Sequence, residues 1–430
     1  MTPSQPYNAR TVFAWAMFDF GNSAFSALVL TFIFSTYFTE AIAPNKIIGT
    51  AMWSRGLTVS GLTVALLSPF MGALADRGGL RKRFLFVLTV VAVLGTASLY
   101  TTGPGQVAQA LVLFVIANIG MEMGMVFYNS FLPEIAPPDK IGRISGYGWS
   151  CGYVGGLLAM TLAMVGFVQT DVPWFGFVKE NGEHIRATNL LVAGWFALFS
   201  LPLFLWVKEK RQPNAGQHPG RLFVSTISQL QTTFHEIRRY GQIVRLLLAR
   251  VFYNDAILTI FSFGGIYAAG TFGFSFSEIL LFGIVLNITA GVGAFALGFL
   301  DDRIGGKRTI QITNIAFIFA TLLSIFAPDK FYFWIAGIVV GLFSGPNQAA
   351  SRSLMGRFVP PDKESEFYGF YALSGKATAF VGPLFLGLLT QAFDSQRVGI
   401  SIVLVLFVIG SLILTSVDEE EGKRLSGRGG

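Results

Sequence analysis

Twelve stretches of this chain are long and apolar enough to cross a lipid bilayer, and no soluble fold could bury them all. A crossing helix needs about 20 predominantly apolar residues. The stretches fall at residues 11–40, 50–75, 84–102, 106–134, 141–168 and 188–207, then at 246–272, 277–300, 308–327, 331–358, 366–391 and 396–416. Backbone groups in hydrocarbon must find partners within their own segment, so each stretch is predicted to be a helix. The alternating pattern of barrel strands is absent. Only 13% of residues are charged, about half the ~25% usual in soluble domains. An ordinary soluble enzyme, a disordered chain and a disulfide scaffold are all excluded. The first apolar run, Val12 to Phe38, is too long for a signal-peptide core and is expected to stay as the first span.

Basic residues set the orientation. Of 31 Lys+Arg, only Lys46, Lys179, Arg186, Lys330 and Arg397 fall in the loops of one side, while Arg55, Arg250, Arg352 and Lys376 lie within spans. The rest crowd the opposite side, which also carries both termini, so that side is expected to be cytoplasmic. The net charge of +7 follows from this asymmetry, and no nucleic-acid partner is expected. Cys151 is the single cysteine, so no intrachain disulfide can form. His184, His218 and His235 lack ligand spacing, so no metal site is expected. There is no Gly-x-x-x-x-Gly-Lys-Ser/Thr loop for ATP. Gly148-Trp149-Ser150-Cys151-Gly152 matches a hydrolase elbow but lies inside a span, without the strand that motif requires. No cofactor and no enzymatic activity are expected.

The longest connection, 208–245, opens with a polar linker. Phe223, Ile227, Leu230, Phe234 and Ile237 then recur at steps of three and four, with Arg221, Gln229, Arg238 and Arg239 mostly elsewhere. This is the pattern of an amphipathic helix resting on the inner membrane surface.

The two halves of the chain repeat each other. Gly72-Ala73-Leu74-Ala75-Asp76-Arg77-Gly78-Gly79-Leu80-Arg81-Lys82 follows the second span, and Gly298-Phe299-Leu300-Asp301-Asp302-Arg303-Ile304-Gly305-Gly306-Lys307-Arg308 follows the eighth. Ala136-Pro137-Pro138-Asp139-Lys140 and Val359-Pro360-Pro361-Asp362-Lys363 follow the fourth and tenth. Two matches in equivalent loops point to parallel repeats, a hallmark of alternating-access transporters. The expected organisation is an N-terminal six-helix half (1–207), a cytoplasmic linker (208–245), a C-terminal six-helix half (246–417) and a cytoplasmic tail (418–430).

The first of these loops resembles the signature loop of the major facilitator superfamily. Trp15-Ala16-Met17-Phe18-Asp19-Phe20-Gly21-Asn22-Ser23-Ala24-Phe25, Phe127-Tyr128-Asn129-Ser130-Phe131-Leu132-Pro133-Glu134 and Tyr371-Ala372-Leu373-Ser374-Gly375-Lys376-Ala377-Thr378 look like the "unknown major facilitator" branch, which includes autophagy-linked vacuolar amino-acid effluxers. The resemblance implies an all-α membrane fold of twelve helices in two six-helix halves. It also implies a cytoplasmic gate in which Asp76 pairs with Arg77 or Arg81 beside the N-terminus of a helix from the other half. Asp302, Arg303 and Lys307 match that pattern in the second half, where Asp301 is an extra acid.

Ionisable residues at lipid depth are costly, so they face the bundle interior. Asp19 lies about 13 Å up its helix from Arg10 and shares a polar stripe with Asn22, Ser23 and Ser26. Asn118, Glu122, Met125 and Asn129 form another, and Asp255, Thr259 and Ser262 a third. Gln348 and Arg352 are one turn apart, and Lys376 falls near the midplane. The functional expectation is a polar cavity between the halves. Lys376 would hold an anionic substrate group, or pair with Glu122 or Asp19 when empty. Glu122 and Asp19 are candidate proton carriers. A structural salt bridge is the plainer alternative for each. Gly120/Gly124, Gly152/Gly156 and Gly337/Gly341 read as close helix packing, and Pro69, Pro202, Pro346 and Pro383 as candidate kinks.

Together these features point to a monomeric secondary transporter of a bacterial inner membrane. It would move a small polar solute, amino acids being one candidate, coupled to protons. Sugar or drug export, and a receptor that does not transport, are the alternatives.

Overall fold

The computed structural model of the chain describes residues 7–209, 219–235 and 237–427. It is nearly all helix, as the length and apolarity of the runs require. The first six spans are α1 (Ala9–Ile42), α2 (Lys46–Gly78), α3 (Arg81–Thr101), α4 (Val107–Ile135), α5 (Ile141–Val168) and α6 (Glu180–Trp206). The second six are α7 (Gly241–Phe272), α8 (Phe276–Ile304), α9 (Gly306–Phe326), α10 (Lys330–Phe358), α11 (Glu364–Phe393) and α12 (Gln396–Thr415). Eleven are long and apolar enough to cross a membrane. The remaining one, α10, has the length, but Asn347, Gln348, Ser351, Arg352 and Ser353 make one half of it polar. That half faces the protein interior, where all but Gln348 of these five are buried.

Local signals set the helix ends. Asn8, Asn45, Asp329 and Ser395 cap α1, α2, α10 and α12 with their side-chain oxygens, and Ser275 with Glu278 forms a capping box on α8. The first and last described residues, the linker helix and the repeated loops share one face, the terminal face. There Lys140 lies over the Tyr7 ring and Arg10 over Trp206.

One span departs from expectation. The stretch at 366–391 is not a continuous helix, because α11 divides into a lower piece, Glu364–Lys376, and an upper piece, Val381–Phe393. Pro383 explains the position of the break. It has no N–H for the carbonyl of Ala379, four residues back, and its ring clashes there. Pro69, Pro202 and Pro346 lie within their helices without interrupting them.

The two halves meet mainly toward the terminal face, where α2 packs on lower α11 and α5 on α8 and α10. Their approach is close enough to require glycine. A Cβ at Gly72 would overlap the carbonyl oxygen of Ser365, and one at Gly146 that of Ala294. The Gly-x-x-x-Gly pairs also sit at close crossings: Gly120 against α3, Gly152 and Gly156 against Ser23, and Gly337 and Gly341 against α8. Away from the terminal face each half packs on itself. Upper α11 lies on α12 and α7. The molecule is thus closed at the terminal face.

The linker helix, Pro219–His235, docks on the terminal end of α2. Its polar face turns inward: Thr226, Gln229 and Thr233 are buried, whereas Ile227 is 40% exposed. Ile227 and Gln229 thus lie on opposite sides of this helix. The side chains of Arg221, Phe223, Phe234, Ile237 and Arg238 lie outside the described residues. A tail helix, Glu419–Ser426, packs on the end of α10.

Candidate functional site

Two matched clamps close the terminal face. Asp76, at the end of α2, accepts hydrogen bonds from the backbone N–H groups of Ser365 (3.1 Å) and Glu366 (2.8 Å), in the first turn of α11. Asp302, at the end of α8, accepts from those of Gly142 (2.8 Å) and Arg143 (3.3 Å), in the first turn of α5. Arg143 also donates its Nε to Asp302 at 2.5 Å. A carboxylate at a helix N-terminus is stabilised by the backbone dipoles, by roughly 0.3–1 kcal/mol when exposed and up to ~2 when partly buried. Each helix start belongs to the opposite half, so each acid ties the halves together.

Behind the clamps lies a charge exchange between the repeats. Buried Arg81 donates to Glu134 at 2.5 Å and lies 3.7 Å from Asp76 and 3.6 Å from Glu364. In the second half the position equivalent to Glu134 holds Arg357, which bonds Asp301 at 2.6 Å and lies 3.8 Å from Asp302. The extra acid Asp301 is thereby accounted for as the partner of Arg357. Glu209 caps α3 through the N–H groups of Arg81 and Lys82, and burial pushes its carboxyl upward. Glu419 caps α9 in the same way through Gly306 and Lys307. Lys82 and Lys307 each reach a terminal carbonyl of their half, Val207 and Thr415.

Of the two basic residues offered for Asp76, Arg81 lies beside it, and Arg77 instead donates to Gln229 of the linker helix at 2.5 Å. One gate expectation needs correction. Arg303 is exposed and has no ion pair among the described residues. The sequence reading missed Glu134, Arg143, Glu209, Arg357, Glu364 and Glu419. Repeat alignment could have found the Glu134/Arg357 exchange, since each stands three residues before the Pro-Pro-Asp-Lys turn.

Deeper in the bundle, the polar stripes converge on two ion pairs that cross between the halves. Arg352 of α10 reaches Asp19 of α1 at 3.0 Å, Asn129 Oδ1 at 3.3 Å, and both Oγ (3.0 Å) and O (2.7 Å) of Ser145. Its guanidinium stacks over Trp15, with Tyr128 and Trp149 around it. Only 2% of Arg352 is exposed. This pair is buried and held by several hydrogen bonds. Lys376, the last residue of lower α11, reaches Glu122 of α4 at 2.6 Å. Its side chain is 32% exposed and that of Glu122 28%, so this pair is the more accessible of the two.

The remaining candidates are placed nearby. Asn22 donates to the Met125 sulfur, and Gln348 donates to Asn254, which in turn reaches the Gly375 carbonyl. Asp255 accepts from the N–H of Gly382 at the start of upper α11. Arg250 donates to the Tyr371 carbonyl and Ser374 hydroxyl, with its guanidinium 3.7 Å from the Tyr371 ring centre. No group of His, Cys, Asp and Glu among the described residues could hold a metal ion.

Twelve helices in two halves, tied by paired clamps over central ion pairs, define a major facilitator transporter. The chain belongs to the family described as Vacuole effluxer Atg22 like, whose model matches residues 49–426. It is similar to YxiO, an MFS-type transporter of Bacillus subtilis (strain 168), at 26% identity over 416 residues and 96% of each chain. It is similar to Autophagy-related protein 22 of Coccidioides immitis (strain RS) at 22% identity, over 87% of this chain and 73% of that protein. Among solved structures it resembles the proton:xylose symporter XylE with a TM-score of 0.73, at 13% identity and 96% coverage of both chains. That last likeness is one of fold.

Proposed function

We propose that the protein carries a small zwitterionic solute, an amino acid, across the membrane by alternating access coupled to protons. The observation that carries this reading is the half-exposed Lys376–Glu122 pair, whose two charges come from different halves. A zwitterion can replace each partner of the pair with its own opposite charge, its carboxylate meeting Lys376 and its ammonium meeting Glu122. The exchange keeps both charges paired, which matters because an unpaired charge at lipid depth is costly. A sugar offers no such replacement, and a large apolar drug would leave both charges stripped of partners. The effluxer description of the family supports transport out of a compartment.

The terminal face is the cytoplasmic one, since most Lys and Arg lie there. The clamps then close the cytoplasmic side. We place the protein in a bacterial plasma membrane, working as a monomer. A receptor that merely kept the fold would have no need of clamps on both sides of the repeat axis.

The test is uptake by purified protein in liposomes, using a mixture of the twenty radiolabelled amino acids. Lys376→Ala is expected to reduce uptake about tenfold or more, equivalent to ~1.4 kcal/mol of lost binding. Glu122→Gln is expected to weaken it similarly. Uptake unaltered by either change, or no uptake of any amino acid by the unaltered protein, would overturn the reading.

A further inference from the structure

The acids expected to carry protons, Asp19 and Glu122, are each held by a cation from the other half. A third acid at lipid depth is not. Asp255 of α7 is buried, with 2% of its surface exposed. Its Oδ2 accepts one hydrogen bond, from the Gly382 N–H at 2.9 Å, and its Oδ1 has no partner. None of the ion pairs among the described residues includes it; those at this depth go to Asp19 and Glu122.

Charged and titratable groups on the helices packed against α7 are already committed. On α11, Lys376 is paired with Glu122, and Tyr371 lies against Arg250. On α10, Arg352 is engaged by Asp19. On α7 itself, Arg250 is bound by Tyr371 and Ser374, and the Tyr253 hydroxyl by Ser351. On α12, Arg397 is spent on the carbonyls of Ile325 and Ala327, and on α8, Glu278 is paired with Lys330. A charged carboxylate buried without a counter-charge is strongly disfavoured. The atom left without a partner is the one on which a proton would sit.

The position gives that proton a consequence. Asp255 lies at the N-terminus of upper α11, where a negative charge is favoured. Lys376 lies at the C-terminus of lower α11, where a positive charge is favoured. The four residues Ala377 to Phe380 separate these two helix ends. Gly382 is needed at the contact, since a Cβ there would overlap the Thr259 hydroxyl. Charge on Asp255 holds the upper piece by its first turn, and loss of that charge weakens the hold. The break thus sets the hold of Asp255 and the pair of Lys376 with Glu122 at the two ends of one short turn.

We infer that Asp255 and the interrupted helix α11 form the proton site of this transporter, separate from the Lys376–Glu122 site and joined to it through the break. The inference rests on the proton coupling proposed above, but not on the identity of the solute. Its test therefore needs none. Full-length protein in nanodiscs is titrated under infrared difference spectroscopy, in sodium chloride and again in choline chloride. A protonated-carboxyl band that titrates reversibly, is unchanged in choline and disappears in Asp255→Asn is the expected result. The same band must survive in Asp139→Asn, an exposed acid of the terminal face. Asp255→Glu, which keeps a carboxyl, is expected to restore a shifted band if Asp255→Asn folds poorly. A spectrum identical in Asp255→Asn and the unaltered protein would overturn the inference. So would a band that responds to sodium at fixed pH, which would make this a sodium site. Loss of amino-acid uptake with the band intact would instead count against the proposed solute alone.

Discussion

Arg352 shows how a single buried charge can hold a transporter together. It spends its guanidinium on Asp19, Asn129 and Ser145 of the other half and packs its face on Trp15. Removing one partner of such a pair costs more than removing both, because the survivor stays buried and unmatched. Arg352→Gln is therefore expected to destabilise the protein by about 3–5 kcal/mol, and the double change Asp19→Asn with Arg352→Gln by less. Thermal unfolding in detergent checks the order of the two, and equal losses would argue against the pairing. At this scale the sequence was partly legible. The cost of charge in lipid marked Asp19, Glu122, Asp255, Arg352 and Lys376 as interior residues. It did not reveal their partners, because those lie up to 333 residues apart and one sequence carries no record of such contacts. Lys376 had two candidate partners, and the structure gives it Glu122 and leaves Asp19 to Arg352.

At the scale of elements, helices α2 and α11 bear the tightest crossing between the halves. Gly72 faces the Ser365 carbonyl, and Gly369 faces that of Ser68. Gly72→Val would force the first turn of α11 away from Asp76, at a cost of roughly 1–3 kcal/mol for overpacking. The expected outcome is faster thiol labelling of a cysteine placed at Ser130 in a Cys151→Ala background. Ser130 is fully buried at this seam, and unchanged labelling would mean that the crossing tolerates bulk. Helix identity and number were plain in the sequence, since apolar length alone dictates them. The break in α11 was less plain. Pro383 was visible as a candidate kink, but three other span prolines are accommodated without a break. The difference here is that the freed residues lie beside Asp255, which takes up the Gly382 N–H. The cap on α9 was hidden because Glu419 belongs to a tail that reads as solvent-exposed.

At the scale of the whole molecule, the repeats explain why the gate has two clamps of one design. Asp76 and Asp302 each grip the helix start of the opposite half, while the supporting charges trade sign between Glu134 and Arg357. The linker helix adds a third tie, since Gln229 joins Arg77 of the first half to Glu366 of the second. All three lie on the terminal face, so opening that face requires them to release together. The repeat was readable because its turn residues are kept in register, whereas the sign exchange was not, because unlike residues do not align. The measurement that bears most directly on this account is a pair of spin-label distances in liposomes, on a Cys151→Ala background. One pair sits on the terminal face at Arg83 and Arg308, the other on the opposite face at Ile47 and Phe331. Asp76→Asn combined with Asp302→Asn is expected to lengthen the first distance and shorten the second. Distances that do not change, or that change in the same direction, would contradict a molecule that rocks about its buried ion pairs.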